Sequence, residues 1–164
     1  MNSIYEYLFG DHESLDKLLR EASEGNGGID MKRYCEFRQG LLRHIGIEEK
    51  IVLPAIARLQ NGRQVEVAAR LRLDHGALVA LLVPSPTPGI VETIRSILKA
   101  HNPLEEEEGG LYRLIDQLAG DEAESLLDRL ESAPEVPALP HNDRSGILEI
   151  TRRAVERAGY KPLF

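Results

Sequence analysis

Four histidines, each centred in the apolar stripe of a different helical segment, constrain this chain more than any other feature of its sequence. Spacings of three and four place apolar side chains on one helix face. In the first segment the stripe is Ile4, Leu8, His12, Leu15 and Leu19. The second carries Leu41, His44, Glu48 and Ile51, the third Leu71, His75, Leu78 and Leu82, and the fourth Ile94, Ile97, His101 and Glu105. A single histidine on such a face is ordinarily a hydrogen-bonded core residue. Four at similar depth, one per segment, point together at the axis of a bundle.

The punctuation between segments sets the topology. The first segment runs from about Ser3 to Ala22 and stops at Gly25-Asn26-Gly27-Gly28. The second starts at the N-cap Asp30 and extends to about Leu59, before Asn61-Gly62. A third covers about Arg63 to Val83, up to a proline-rich turn, and a fourth about Ile90 to Leu118, closed by Gly120. Connections this short join antiparallel neighbours, so an all-α, up-down-up-down four-helix bundle is expected over residues 1–120. Residues 121–164 form a helical appendage packed on it: a short helix over 121–131, a loop with Pro134, Pro137 and Pro140, and an amphipathic segment over about 144–157.

Two segments repeat one pattern, His44-x-x-x-Glu48-Glu49 and His101-x-x-x-Glu105-Glu106. Residues four apart stack on one helix face, with Cβ atoms about 5–6 Å apart, so each pair can reach one cation or two adjacent ones. An unpaired carboxylate in an apolar interior costs several kcal/mol, and proteins neutralise, pair or metallate it. No Lys or Arg shares these stripes. A divalent cation resolves the conflict, and imidazole with carboxylate suits iron, manganese or zinc rather than copper(I). The expected metal ligands are His12, His44, Glu48, His75, His101 and Glu105.

Several function classes are disfavoured. A net charge of −7 argues against a nucleic-acid surface, which needs clustered cations. One cysteine, Cys35, leaves no intrachain disulfide and fits a reducing compartment. Met1 to Glu6 lack the pattern of a signal peptide, and no apolar run spans a bilayer, so a cytoplasmic protein without membrane contact is expected.

Asp11-His12-Glu13, His44-x-x-x-Glu48-Glu49 followed by Leu53-Pro54, Asp74-His75, and His101-x-x-x-Glu105-Glu106 together resemble the hemerythrin family in its bacterial His-His-Glu cation-binding form, over about Ser3 to Leu118. The resemblance implies a centre of two irons per chain, bridged by Glu48 and Glu105, with His12 and His44 on one metal and His75 and His101 on the other. A mononuclear iron, manganese or zinc site is the alternative. Two departures stand out. Oxygen-carrying members have a further histidine where this chain has Leu71, and an aspartate one residue later than the position of Glu105. Candidates to replace the missing ligand are Glu49, Glu106, Glu108, Tyr112 and His141, with Glu108 and Tyr112 best placed on the stripe. Asp11 and Asp74 are candidates to support the ligands from behind.

The function implied is binding or sensing of dioxygen or a related diatomic. One fewer protein ligand leaves an open metal position, which suits an enzyme of the same site: peroxide reduction, ferrous oxidation or iron donation for repair. A helical interaction module with a structural metal is a third reading. Partners beyond the diatomic would be a second copy of the chain or another protein, met through the C-terminal segment.

Overall fold

A computed structural model describes residues 3–164. Met1 and Asn2, which begin the stretch read as unlike a signal peptide, lie outside the described residues. The helices are α1 (Ile4–Ser23), α2 (Met31–Ile47), α3 (Leu53–Leu59), α4 (Ala68–Leu81), α5 (Pro88–Glu106), α6 (Leu111–Ala119), α7 (Ala123–Glu131) and α8 (Ile147–Arg157). Among the described residues there is no strand, and no helix is long and apolar enough to cross a membrane.

Local chemistry sets the boundaries. Ser3 and Glu6 form a reciprocal capping box on α1, and Asp30 accepts from the backbone N–H groups of Lys32 and Arg33 to start α2. The expected long second helix is continuous but not regular. A π turn, Glu48–Val52, joins α2 to α3, and the Leu53 N–H reaches back to the Glu48 carbonyl. Pro54 explains it, because the proline ring would clash with the carbonyl of Lys50 in a regular helix. Asn61 and Gly62 then end α3 with positive φ, as the sequence suggests.

Two expected ranges need correction. The third helix starts at Ala68 rather than Arg63. The fourth is two helices: α5 stops at Glu106, and Gly109 and Gly110 turn the chain before α6. Gly109 has φ of +85°, and a Cβ at Gly110 would come within 2.7 Å of the Glu105 carbonyl oxygen. Only glycine fits so close to that backbone.

The core has two apolar halves. One gathers the end of α1, the start of α2, the end of α4 and the start of α5, including Leu19, Phe37, Leu81 and Ile94. The other gathers the opposite ends, with Leu8, Ile47, Leu71 and Ile115. That alternation is what antiparallel helices produce. The histidines sit where the halves meet. Leu126, Leu127 and Leu130 of α7 complete the second half, while Val155 and Ala158, at the end of α8, complete the first. Arg43 of α2 fastens α7, donating to the carbonyls of Leu130 and Ala133 at 3.1 Å each.

Candidate metal centre

Four helices, α1, α2, α4 and α5, each enter the junction between the two core halves with one imidazole. His12, His44, His75 and His101 are all buried, as are Glu48 and Glu105. Their rings pair across the bundle, His12 with His44 at 4.6 Å between centroids and His75 with His101 at 4.9 Å. Between the two pairs lie the carboxylates. Glu48 stands 3.1 Å from the Nε2 of His44 and 3.1 Å from that of His75. Glu105 is 3.1 Å from the Nε2 of His101 and 3.5 Å from that of His12.

All four rings face the same way: Nε2 inward and Nδ1 outward onto a carboxylate. His12 donates to Glu106 at 2.5 Å, His44 to Asp11 at 3.1 Å, His75 to Glu49 at 2.7 Å, and His101 to Asp74 at 3.1 Å. An ionised carboxylate only accepts, so each Nδ1 carries a proton, and a ring that gives up its second proton offers its Nε2 lone pair to the centre. Such outer partners fix a ligand's tautomer and aim. Arg70 extends one of these chains, bonding both Asp74 and the Ala158 carbonyl at the end of α8.

Without a cation, protons hold the cluster together. Burial disfavours the His44 imidazolium, but the charge of Glu48 and the hydrogen bonds the ring donates to Asp11 and Glu48 outweigh it and push its pKa up to about 10. His101 likewise overcomes burial through Asp74 and Glu105 and is pushed up to about 10. For Glu48, burial favours the neutral acid, yet His44 and His75 hold the carboxyl well below its usual range. Burial and the charges of Glu48 and Glu105 drive the Tyr112 phenol upward.

Of the residues weighed as replacement ligands, Tyr112 alone has its polar atom among the six. Its hydroxyl donates to Glu48 at 2.6 Å and lies 2.8 Å from the Nε2 of His12 and 3.0 Å from that of His44. Glu108 is exposed, because the helix that would have turned it inward has already ended at Glu106. Glu49 and Glu106 sit behind the imidazoles rather than in the centre. His141 packs near Tyr34, away from the cluster. Leu71, where a further histidine was absent, is fully buried in the second core half.

Asp11 and Asp74 do act from behind, but on the helix opposite: Asp11 supports His44 rather than its neighbour His12, and Asp74 supports His101 rather than His75. Adjacent residues on a helix face different ways, so support crosses the bundle. Glu49 and Glu106 play the same part. Their signal in the sequence was the doubled glutamate of each repeat.

A family model described as the hemerythrin HHE cation binding domain matches residues 3–133. The chain belongs to this hemerythrin family. No curated protein and no solved structure matches it. Cation binding is what the hemerythrin HHE description implies, and the residues fit. Two overlapping groups, His12/His44/Glu48/Glu105 and Glu48/His75/His101/Glu105, each bring four donor atoms within 4.8 Å of one another. In the second, Glu48 Oε2, His75 Nε2 and Glu105 Oε1 are buried and, although imidazole and carboxylate stand 3.1 Å apart, none of the three makes an aligned hydrogen bond. Three orphaned donors converging on one point is the arrangement a cation satisfies.

A cavity of about 410 Å³ leads from the cluster toward the surface. Its walls combine aliphatic side chains, Leu15, Leu41 and Leu78 among them, with polar ones that include Asp16, Arg95 and Lys99.

Proposed function

We propose that this hemerythrin-family chain is a non-haem iron protein that holds two irons and binds dioxygen or a related diatomic. One observation carries it: two four-donor groups share both of their carboxylates, Glu48 and Glu105. Shared carboxylates are what a pair of adjacent cations needs, each Glu offering one oxygen to either side. His12 and His44 would serve one position, His75 and His101 the other. Mixed imidazole and carboxylate donors suit iron, manganese and zinc, and of these ferrous iron binds diatomics most readily, whereas zinc has no redox chemistry.

The chemistry supplied by bound iron is one-electron redox and Lewis acidity toward the diatomic. The chain's own residues do the rest. Asp11, Glu49, Asp74 and Glu106 hold the Nδ1 protons and so keep every Nε2 lone pair aimed inward. The two apolar core halves shield the donors along the bundle axis, leaving the cavity as the way in. Imidazole protons at His44 and His101 must leave as cations enter, so loading is favoured by rising pH. The three orphaned donors put the less satisfied position on the His75/His101 side, where an incoming small molecule would bind.

The cavity favours a second reading, an enzyme of the same site, because its volume far exceeds that of a diatomic. The test is anaerobic loading with ferrous iron, removal of the excess, and optical spectra before and after exposure to air or nitric oxide. Two irons per chain with new visible bands on exposure support the proposal. Retention of zinc in preference, with no spectral response, would refute it.

A further inference from the structure

We propose that Tyr112 is a fifth protein donor to the His12/His44 position, bonding the cation there through its phenolic oxygen. The inference rests on the reading that the cluster holds metal, and deepens it by making the two positions chemically unequal.

Spacing is the ground for it. Neighbouring donors around a six-coordinate first-row metal, with bonds of about 2.1 Å, stand about 3.0 Å apart. The Tyr112 oxygen lies 2.8 Å from His12 Nε2, 3.0 Å from His44 Nε2, 2.6 Å from Glu48 Oε1 and 3.2 Å from Glu105 Oε2. The His44–Glu48 and His12–Glu105 donor pairs are themselves 3.1 Å and 3.5 Å apart. Tyr112 therefore stands within 3.2 Å of all four donors, a separation that neighbouring ligands of one cation would have. One hydroxyl proton is shared between the two carboxylate oxygens it faces, so without a cation or a further proton the phenol cannot bond both of them fully.

Among the described residues the repeat offers the other position no equivalent. Tyr112 follows Glu105 by seven residues, and at that offset after Glu48 stands Ala55, which has no donor atom. The break between α5 and α6 delivers the phenol: Gly109 and Gly110 turn the chain, and α6 then presents Tyr112 from the second core half. The cavity approaches from the first half, among Leu15, Leu41 and Leu78. All four histidines line that cavity, so ligation by Tyr112 would fill a place at the His12/His44 position and leave the His75/His101 position with one protein donor fewer.

On ligation the phenol O–H bond breaks, the proton leaves to solvent, and an oxygen–metal bond forms with no change of oxidation state. The hard anionic oxygen favours ferric over ferrous iron at that position.

The experiment compares wild type and Tyr112→Phe, each loaded anaerobically with ferrous iron and then oxidised with ferricyanide. Wild type should show a visible phenolate-to-iron(III) charge-transfer band, with tyrosinate ring modes enhanced in the resonance Raman spectrum excited within it. Tyr112→Phe should keep its iron, lose band and ring modes together, and show a higher midpoint potential in a dithionite titration. If the variant loses its helicity or iron, wild-type protein grown on ring-deuterated tyrosine decides alone: the enhanced modes must shift. Iron-loaded wild type with no such band, or a band that survives in the variant, overturns the inference and leaves the metal reading standing. A chain that retains no iron removes both.

Discussion

Replacing Glu48 with glutamine keeps the shape of the side chain and deletes the charge on which the metal-free cluster depends. Glu48 is 1 % exposed and faces His44 and His75 at 3.1 Å each. The pKa of His44, about 10, stands above the ordinary 6.5. Stability from that proton is therefore complete below about pH 6.5 and is lost as the pH climbs through about 10. At pH 7 the proton is still bound, and Glu48→Gln leaves a buried cation without its main partner. Breaking a buried pair from one side costs about 3–5 kcal/mol. His44 can escape by giving up its proton, which holds the cost near the lower end. With a urea m-value of about 2 kcal/mol/M, the midpoint should fall by roughly 1.5–2 M. The assay is urea denaturation of chelator-treated protein, followed by circular dichroism at pH 7 and pH 10. The gap between wild type and variant should narrow at pH 10, where wild-type His44 has lost half its protons. Equal midpoints at pH 7, or a gap that widens with pH, would refute the electrostatic account.

Other substitutions probe the surroundings. Asp74→Asn removes the carboxylate behind His101 and should weaken metal affinity about 10–100-fold, read by competition with a chromophoric chelator. Gly110→Ala sets a Cβ within 2.7 Å of the Glu105 carbonyl oxygen. It should cost about 2–3 kcal/mol and lower Tm by roughly 4–12 °C. Arg43→Ala cuts the bonds from α2 to the carbonyls of Leu130 and Ala133. Amide hydrogens of α7 should then exchange faster while those of α1 stay protected.

The bundle and its histidines were legible because a period of three to four residues is robust. Leu8-His12-Leu15 and Leu71-His75-Leu78 each put the imidazole on the buried face without reference to any other helix. Helix breaks defeat the same arithmetic. Counting on from His101 through Glu105 turns both Glu108 and Tyr112 inward, but α5 ends at Glu106 and only Tyr112 arrives, carried by a new helix. The π turn at Glu48–Val52 has a local cause in Pro54, but its extent depends on how the following helix packs. Least visible were the partners of Nδ1. Asp11 serves His44, and Glu49 serves His75. Those pairings join different helices, and a single sequence records no distances between helices.

An anomalous difference map collected at the iron edge, from crystals of iron-loaded protein, goes most directly to the central claim. Two peaks should appear inside the bundle, one between His12 and His44 and the other between His75 and His101, with Glu48 and Glu105 spanning them. A map with no peak inside the bundle, or with iron bound only to surface carboxylates, would contradict the claim that cations satisfy these buried donors.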